Sequence, residues 1–303
     1  MSCPPHFSVI VPTFNRASSL EGLLKSFDSL QHRDDLTLEI VVVNNGSTDR
    51  TRSLLELEAQ KIRTYQLRVS EEPRQGKAHA LNRGLQIATG KFFIIIDDDV
   101  IAHSQLLEQH MECYEVSRFD ALQGKILPGL DLNGKPADMA RLREYNIPHT
   151  DYGENCREIR GLTGTNMSFK REVYEAVGTF DTRLGPGQSG FSEDTEYSRR
   201  IKRAGFKIGY CPGAIVFHEL DPARYGRGYN RRVAYRKGIS RSIYRHDSIV
   251  FRVVPSLLLN GVRFCVYSLL GQRQKAFKTE GRLLKAWGYV MGKIHGTSAD
   301  KLQ

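Results

Sequence analysis

The sequence predicts an α/β fold built on a doubly wound, mostly parallel sheet, and three observations carry that expectation. Short apolar runs alternate with segments of helical period through the first hundred residues, an order that implies parallel strands joined by right-handed crossovers. Leu38–Val43 and Phe92–Ile96 are apolar at almost every position, as strands buried on both faces are. Phe92–Ile96 also runs straight into Asp97, Asp98 and Asp99, and open α/β sheets bind their ligands beyond the carboxyl ends of the strands.

Phe7–Pro12 reads as the first strand. Arg16–Leu30 follows as a helix with Leu20, Leu23, Leu24, Phe27 and Leu30 on one face. Leu38–Val43 is the second strand and ends in the turn formers Asn44-Asn45-Gly46-Ser47. Ser47, Thr48 and Asp49 are all suited to cap a helix running to about Gln60. Ile62–Val69 is the third strand, Gly76–Thr89 a helix closed by Gly90, and Phe92–Ile96 the fourth strand. Residues 103–118 form another helix. From 123 to 162 glycine, proline and charge interleave, which reads as variable loops with short strands. Gly164–Phe169 is a strand, 171–177 a short helix, and Gly185–Ser192 a loop. A helix spans Glu193–Gly205, and Lys207–Cys211 and Ala214–Phe217 read as two closing strands.

The net charge of +10 is unevenly spread. Residues 220–303 hold 17 Lys/Arg against 4 Asp/Glu, a balance of +13 that leaves −3 on the rest. Such asymmetry points to a polyanionic partner for the tail. Within it, Tyr225, Tyr229 and Tyr235 sit among arginines, and Leu283, Leu284, Trp287, Val290, Met291 and Ile294 recur at helical spacing between basic residues. Val250–Gly271 is largely apolar, but Arg252, Pro255, Asn260 and Arg263 make it a poor spanning helix. Basic amphipathic helices of this kind suit an anionic membrane surface. Packing against the body of the fold, or as a homo-oligomer, is the alternative. No helix-turn-helix, RNP or zinc-finger pattern supports nucleic-acid binding. Five scattered cysteines (Cys3, Cys113, Cys156, Cys211, Cys265) with no CxxC pair argue against a disulfide framework or a zinc site and fit a reducing compartment. No basic-then-apolar leader precedes Phe7.

Three carboxylates at one strand edge repel each other unless a cation neutralises them. Hard divalent ions take oxygen ligands and often bind through one or two carboxylates plus substrate phosphates. A metal-and-phosphate site follows from the residues alone.

A series of short segments, in order, resembles the family 2 glycosyltransferases of the GT-A fold over residues 7 to 219. Phe7–Arg16 (FSVIVPTFNR) and Val41–Thr51 (VVVNNGSTDRT) resemble the nucleotide-binding strands and turns. Gly76–Asn82 resembles the GKxxALN segment and Asp97–Asp99 the DXD motif. Gly164–Phe169 (GTNMSF), Phe180-Asp181, and Glu193-Asp194 with Arg199-Arg200 and Gly205 resemble the acceptor-side block. Tyr210-Cys211-Pro212 and Val216-Phe217-His218 close the pattern. The resemblance implies a catalytic domain over 1–219, with a nucleotide half (1–100) and an acceptor half (101–219), and a basic amphipathic helical extension over 220–303. It implies transfer of one sugar, with inversion, from a nucleotide-diphosphate sugar, UDP first, to a hydroxyl of a glycan or lipid-linked acceptor. The QxxRW motif of processive relatives is absent around Trp287.

By the same resemblance Asp99 is the main ligand of Mn²⁺ or Mg²⁺, Asp97 a partner of ribose or metal, and Asp98 is unassigned at the donor. His218 is either a metal ligand or a histidine packed at a strand end. Asp194 is the general base and Glu193 its runner-up or orienting group. The nucleotide is expected near Pro12, Thr13, Asn15 and Asn44. Relatives carry an aspartate at position 44 that accepts from the uracil imide, a charge-assisted bond that Asn44 lacks; Asn44 as a plain turn residue is the alternative. Arg74 and Lys77 are candidates for the diphosphate or else solvated surface charges. The resulting expectation is a cytoplasmic enzyme on the inner face of the plasma membrane. A nucleotide-binding, membrane-docked scaffold without activity is the competing reading.

Overall fold

The computed structural model describes residues 4–31, 33–131 and 149–295. Cys3 and much of the expected loop region between 123 and 162 lie outside them. The described residues divide into two compact units, one of residues up to 131 with 149–181 and 193–220, the other of 182–192 with 221–295.

The first unit is wound on a sheet of nine described strands. β1 (Phe7–Thr13), β2 (Leu38–Asn44), β3 (Gln66–Glu71) and β4 (Phe92–Ile96) run parallel in the order β3-β2-β1-β4. α1 (Ala17–Phe27), α2 (Thr51–Glu58) and α3 (Lys77–Ile87) connect them. Every residue of β1 and β2 is buried. Val9, Val11, Ile40 and Val42 face a core closed by α1 and α2, while Ile10, Val41 and Val43 face one closed by α3. Burial on both sides is the physical reason these runs lack alternation. Each such side chain contributes roughly 1.5–3 kcal/mol.

Beyond β4 the sheet becomes mixed. After β5 (Val100–Ala102) and α4 (Leu106–Val116) come β6 (Ala121–Asp131), β7 (Arg157–Glu158), β8 (Asn166–Lys170), α5 (Arg171–Val177), α6 (Glu193–Arg203) and β9 (Ile208–Leu220). β8 lies antiparallel between β4 and β6. β9 runs parallel to β6 and antiparallel to β5 and β7.

Four expectations need correction. The third strand begins at Gln66 rather than Ile62, which is fully exposed, because Arg63 Nε and Tyr65 Oη both bond Asp28 Oδ1, at 2.9 and 2.8 Å. The two closing strands are one, β9; Pro212, which has no N–H to give, falls where the ladder jumps from Cys211↔Gly124 to Ile215↔Lys125. Cys113 and Cys211 form a disulfide across α4 and β9, with Cα atoms 6.2 Å apart, and Cys156 Sγ lies 3.5 Å from Cys113 Sγ. Nothing in the cysteine spacing signals contacts that exist only after β9 folds back beside α4. Val250–Gly271, finally, expected to be a poor spanning helix, meets the length and composition of one over Ile249–Leu269.

In the second unit α7 (Arg227–Tyr244), a π-helical turn (Ile249–Val253), α8 (Val254–Leu269) and α9 (Arg273–His295) follow one another. Pro255 stands in the first turn of α8, where no N–H is needed. Arg252 pairs with Asp247, and Asn260 bonds back to Ser256. Ile249–Leu269 is therefore long and apolar enough to cross a membrane by length and composition, and only 11% of its most apolar stretch is buried. α7 and α9 pack with their backbones close. A Cβ at Gly238 would collide with the Lys285 carbonyl oxygen, and one at Gly288 with that of Tyr235.

Alkylation without reductant followed by peptide mass mapping is expected to modify Cys156 and Cys265 and to recover Cys113 linked to Cys211. Full alkylation of Cys113 would contradict the pairing.

Candidate active site

The carboxyl ends of β1, β2 and β4 form the floor of the site. Asn15 follows β1 at φ 53°, a left-handed conformation asparagine tolerates. Its N–H donates to Ser47 Oγ (2.9 Å), and its Oδ1 accepts from the N–H of Thr48 (2.7 Å). Asp49 accepts from the N–H of both Ala17 (3.2 Å) and Thr51 (2.9 Å). Asn15 thus fastens the first loop to the second. Pro12 and Thr13 are buried beside it, in register with Val43 and Asn44. Asn44 is 1% exposed; its Oδ1 accepts from Ser47 N–H (3.1 Å) and its Nδ2 donates to Glu71 Oε1 (3.0 Å) on the next strand.

The three aspartates meet three different surroundings. Burial works against the ionised form of Asp97, but the Lys77 ammonium on one oxygen and Thr165 Oγ1 on the other (2.9 Å) hold its carboxyl below the usual range. Burial and the neighbouring Asp99 push Asp98 up to about 7, against the pull of Arg16 and Thr13. Asp99 accepts from Arg16 Nη1 at 2.8 Å, and its Oδ1 lies 3.4 Å from His218 Nε2. β5 makes that last approach, since Val100 pairs with His218. His218 Nδ1 lies 2.6 Å from the Glu219 carbonyl, which can only accept. The Nδ1 proton is therefore fixed there, and Nε2 turns toward Asp99 either a second proton or the lone pair a metal ligand needs.

Asp99 and His218 fit a divalent cation as a carboxylate–imidazole pair, both buried and within reach of one ion. Among the described residues no group of three His, Cys, Asp or Glu is placed to hold an ion alone. Phosphate oxygens and water would fill the remaining positions, as Mg²⁺ and its kin commonly require.

Gly76, at φ 134°, turns the chain into α3 and sets Lys77 inward. Burial disfavours the Lys77 ammonium, but Asp97 and Glu193 together raise its pKa. Glu193 Oε1 lies 3.7 Å from Nζ. Burial raises the Glu193 carboxyl, and Lys77 pulls it back. The next residue, Asp194, is half-buried. Its Oδ2 accepts from Gly164 N–H (3.2 Å) and its Oδ1 from Thr195 N–H (2.5 Å). Two candidates for the diphosphate are thus occupied: Lys77 by these acids, and Arg74 by both oxygens of Glu72 at 2.9 Å. Arg16 and Thr165 went unassigned in the sequence, although both lie in quoted motifs.

A model of the family described as "Glycosyl transferase family 2" matches residues 8–178. The chain belongs to that family. It is 24% identical over 255 residues to glycosyltransferase AglE of Haloferax volcanii, covering 84% of this chain and 79% of that protein. Its fold is similar to that of the mannosyltransferase PcManGT from Pyrobaculum calidifontis, solved with GDP-Man and Mn²⁺, at TM-score 0.59 and 21% identity over 98% of this chain and 77% of that one. S. aureus TarS 1-349, solved with UDP-GlcNAc, matches at TM-score 0.56 and 16% identity over 95% and 91%. The glycosyltransferase has the GT-A fold its sequence led us to expect.

Lys77→Met is expected to cost about 3–5 kcal/mol, the usual penalty for stranding buried charge. Adding Asp97→Asn and Glu193→Gln should recover most of it in chemical unfolding; no recovery would mean that the ammonium does not neutralise these acids.

Asp98 has a folded pKa above its unfolded value, so ionising it costs stability as pH rises from about 4 through about 7. In metal-free buffer Asp98→Asn should stabilise the glycosyltransferase, by a margin that grows over that window to about 2–4 kcal/mol and then levels. A margin independent of pH would contradict the shift.

Proposed function

We propose that this glycosyltransferase moves one sugar, with inversion, from a nucleoside-diphosphate sugar to a hydroxyl of a glycan or lipid-linked acceptor while docked on an anionic membrane surface. The observation that supports this most is the meeting at Lys77 Nζ of Asp97, from the end of β4, with Glu193, from the start of α6. Donor-side and acceptor-side acids belong to one site.

The nucleotide lies across the ends of β1 and β2, against Pro12, Thr13 and Asn44, with Asn15 holding the loops around it. PcManGT is solved with a guanine nucleotide sugar and TarS with a uracil one, so family and fold leave both open. Glu71 favours uracil: through Asn44 Nδ2 it supplies beside the base the carboxylate that position 44 lacks. Asp98, at the same edge, takes the donor side. A divalent cation, Mn²⁺ or Mg²⁺, held by Asp99 and His218, would stabilise the charge that grows on the departing diphosphate. Asp97, tied to Lys77 and Thr165, faces the donor rather than the ion. Arg16 brings a further positive charge to the same edge.

Asp194 takes the proton of the acceptor hydroxyl as that oxygen attacks the anomeric carbon. The Gly164 and Thr195 amides orient its carboxylate. Glu193, behind it, is an orienting group. A single displacement with one base inverts the anomeric centre. The exposed apolar face of α8 and the basic tail support the membrane docking.

With each nucleotide sugar tested in turn, Asp194→Asn should lower kcat by about 10²- to 10⁴-fold with donor KM little changed. His218→Ala should instead raise the divalent cation concentration needed for half-activity, and NMR should find the product anomer inverted. Full turnover by Asp194→Asn, or a retained anomer, would remove the proposed base.

A further inference from the structure

α7 and α9 run parallel, so their N-termini lie at the same end of the second unit. Arg227 and Arg231 meet Glu280 at 2.8 and 3.3 Å, and farther along Tyr235 and Gly238 meet Gly288, and Ser242 meets Gly292. Two positive helix ends therefore converge. A cavity of about 340 Å³ opens there, within the range of small-ligand pockets. Arg227, Arg273 and Lys278 line it together with Phe264, Tyr267 and Phe277, and the Arg227 guanidinium lies over the Phe277 ring, 6.0 Å from its centroid.

Its charge is unbalanced. Glu280 is taken up by Arg227 and Arg231. Lys275 lies over the Tyr267 ring, 5.7 Å from its centroid. Neither Arg273 nor Lys278 is ion-paired with an acid among the described residues. The cavity therefore suits an anion, and its aromatic wall suits something apolar attached to that anion. Phe264 and Tyr267 belong to α8, whose other side carries Val262, Val266 and Leu269 into solvent, the last 87% exposed. Opposite Asn260, the inward residue of this helix, Phe251, Leu258, Val262 and Leu269 form an apolar face without a charge.

We propose that this cavity is a headgroup site for an anionic phospholipid, whose phosphate lies against Arg273 and Lys278 and whose chains run along the outer face of α8. The site rests on the membrane-docking part of the proposed function and names the lipid contact that fixes it. The phosphate accounts for the cationic lining, the glycerol and first methylenes for Phe264, Tyr267 and Phe277, and the chains beyond them for the outer face of α8; a free anion would use the cations alone.

Calorimetric titration of the full chain with soluble dihexanoyl-phosphatidylglycerol, dihexanoyl-phosphatidylcholine and inorganic phosphate tests it. The anionic lipid should bind on the order of tenfold or more tighter than either other probe, and Arg273→Gln with Lys278→Gln should remove that margin while leaving Tm unchanged. Equal binding by wild type and double variant would overturn the site. Phosphate binding as tightly as the lipid would make it a free-anion site and overturn the lipid assignment. Vesicle flotation separates the underlying reading. Phe251→Ser with Leu258→Ser should abolish flotation on phosphatidylglycerol vesicles yet keep short-chain lipid binding. Wild type that binds the short-chain lipid but never floats would refute docking and leave the headgroup site standing.

Discussion

One buried ammonium ties together segments of the first unit that lie far apart in the sequence. Lys77 enters from the first turn of α3, bonds Asp97 at the end of β4 and faces Glu193 at the start of α6. Glu193 and Asp97 are far apart in sequence, and each is buried at a cost that only an opposite charge offsets. Because Asp194 follows Glu193 directly, fixing Glu193 also fixes where the proposed base stands. The Gly164 amide completes that placement from the strand side, and Thr165, the next residue, bonds Asp97. The proposed donor and acceptor edges are therefore set by one small polar cluster.

The sequence made legible what depends on local pattern. β1, β2 and β4 were readable because burial on both faces forces apolar runs. The acids were readable because motif order places them at strand and helix ends. What was not legible depends on which side chain meets which. Lys77 read as a phosphate contact or a surface charge, and no spacing reveals that Asp97 and Glu193 take it. Arg74 looked equally available until Glu72 folded beneath it. The three-residue β5 carries no periodicity of its own; its pairing with β9 is what sets His218 against Asp99.

The second unit follows the same rule. Its charge excess and amphipathic spacing were plain in the residues. That α7 and α9 lie parallel was not, because the contact depends on glycines, which add nothing to a hydrophobic pattern. Gly238, Gly288 and Gly292 give up helix propensity, about 1 kcal/mol each relative to alanine, and in return let the two backbones approach. Pro255 counted in the sequence against a spanning helix, yet it occupies a first turn, where no N–H is needed.

Nor do the three aspartates act as one acidic cluster. Adjacent carboxylates at a buried strand end repel, and a single cation is the simplest remedy. Here the repulsion is relieved one acid at a time. Asp97 keeps its charge because Lys77 and Thr165 surround it. Asp98 has no such partner at full strength, and its carboxyl rises to about 7. Asp99 shares its charge with Arg16 on one oxygen and approaches His218 with the other. Asp99 thus has an oxygen turned to an imidazole whose Nδ1 is already engaged by a carbonyl, and that geometry is what supports it as the proposed ligand of a divalent ion. Asp97, with both oxygens engaged, is proposed to position the donor instead, a division between the motif's two outer aspartates that their spacing alone leaves open.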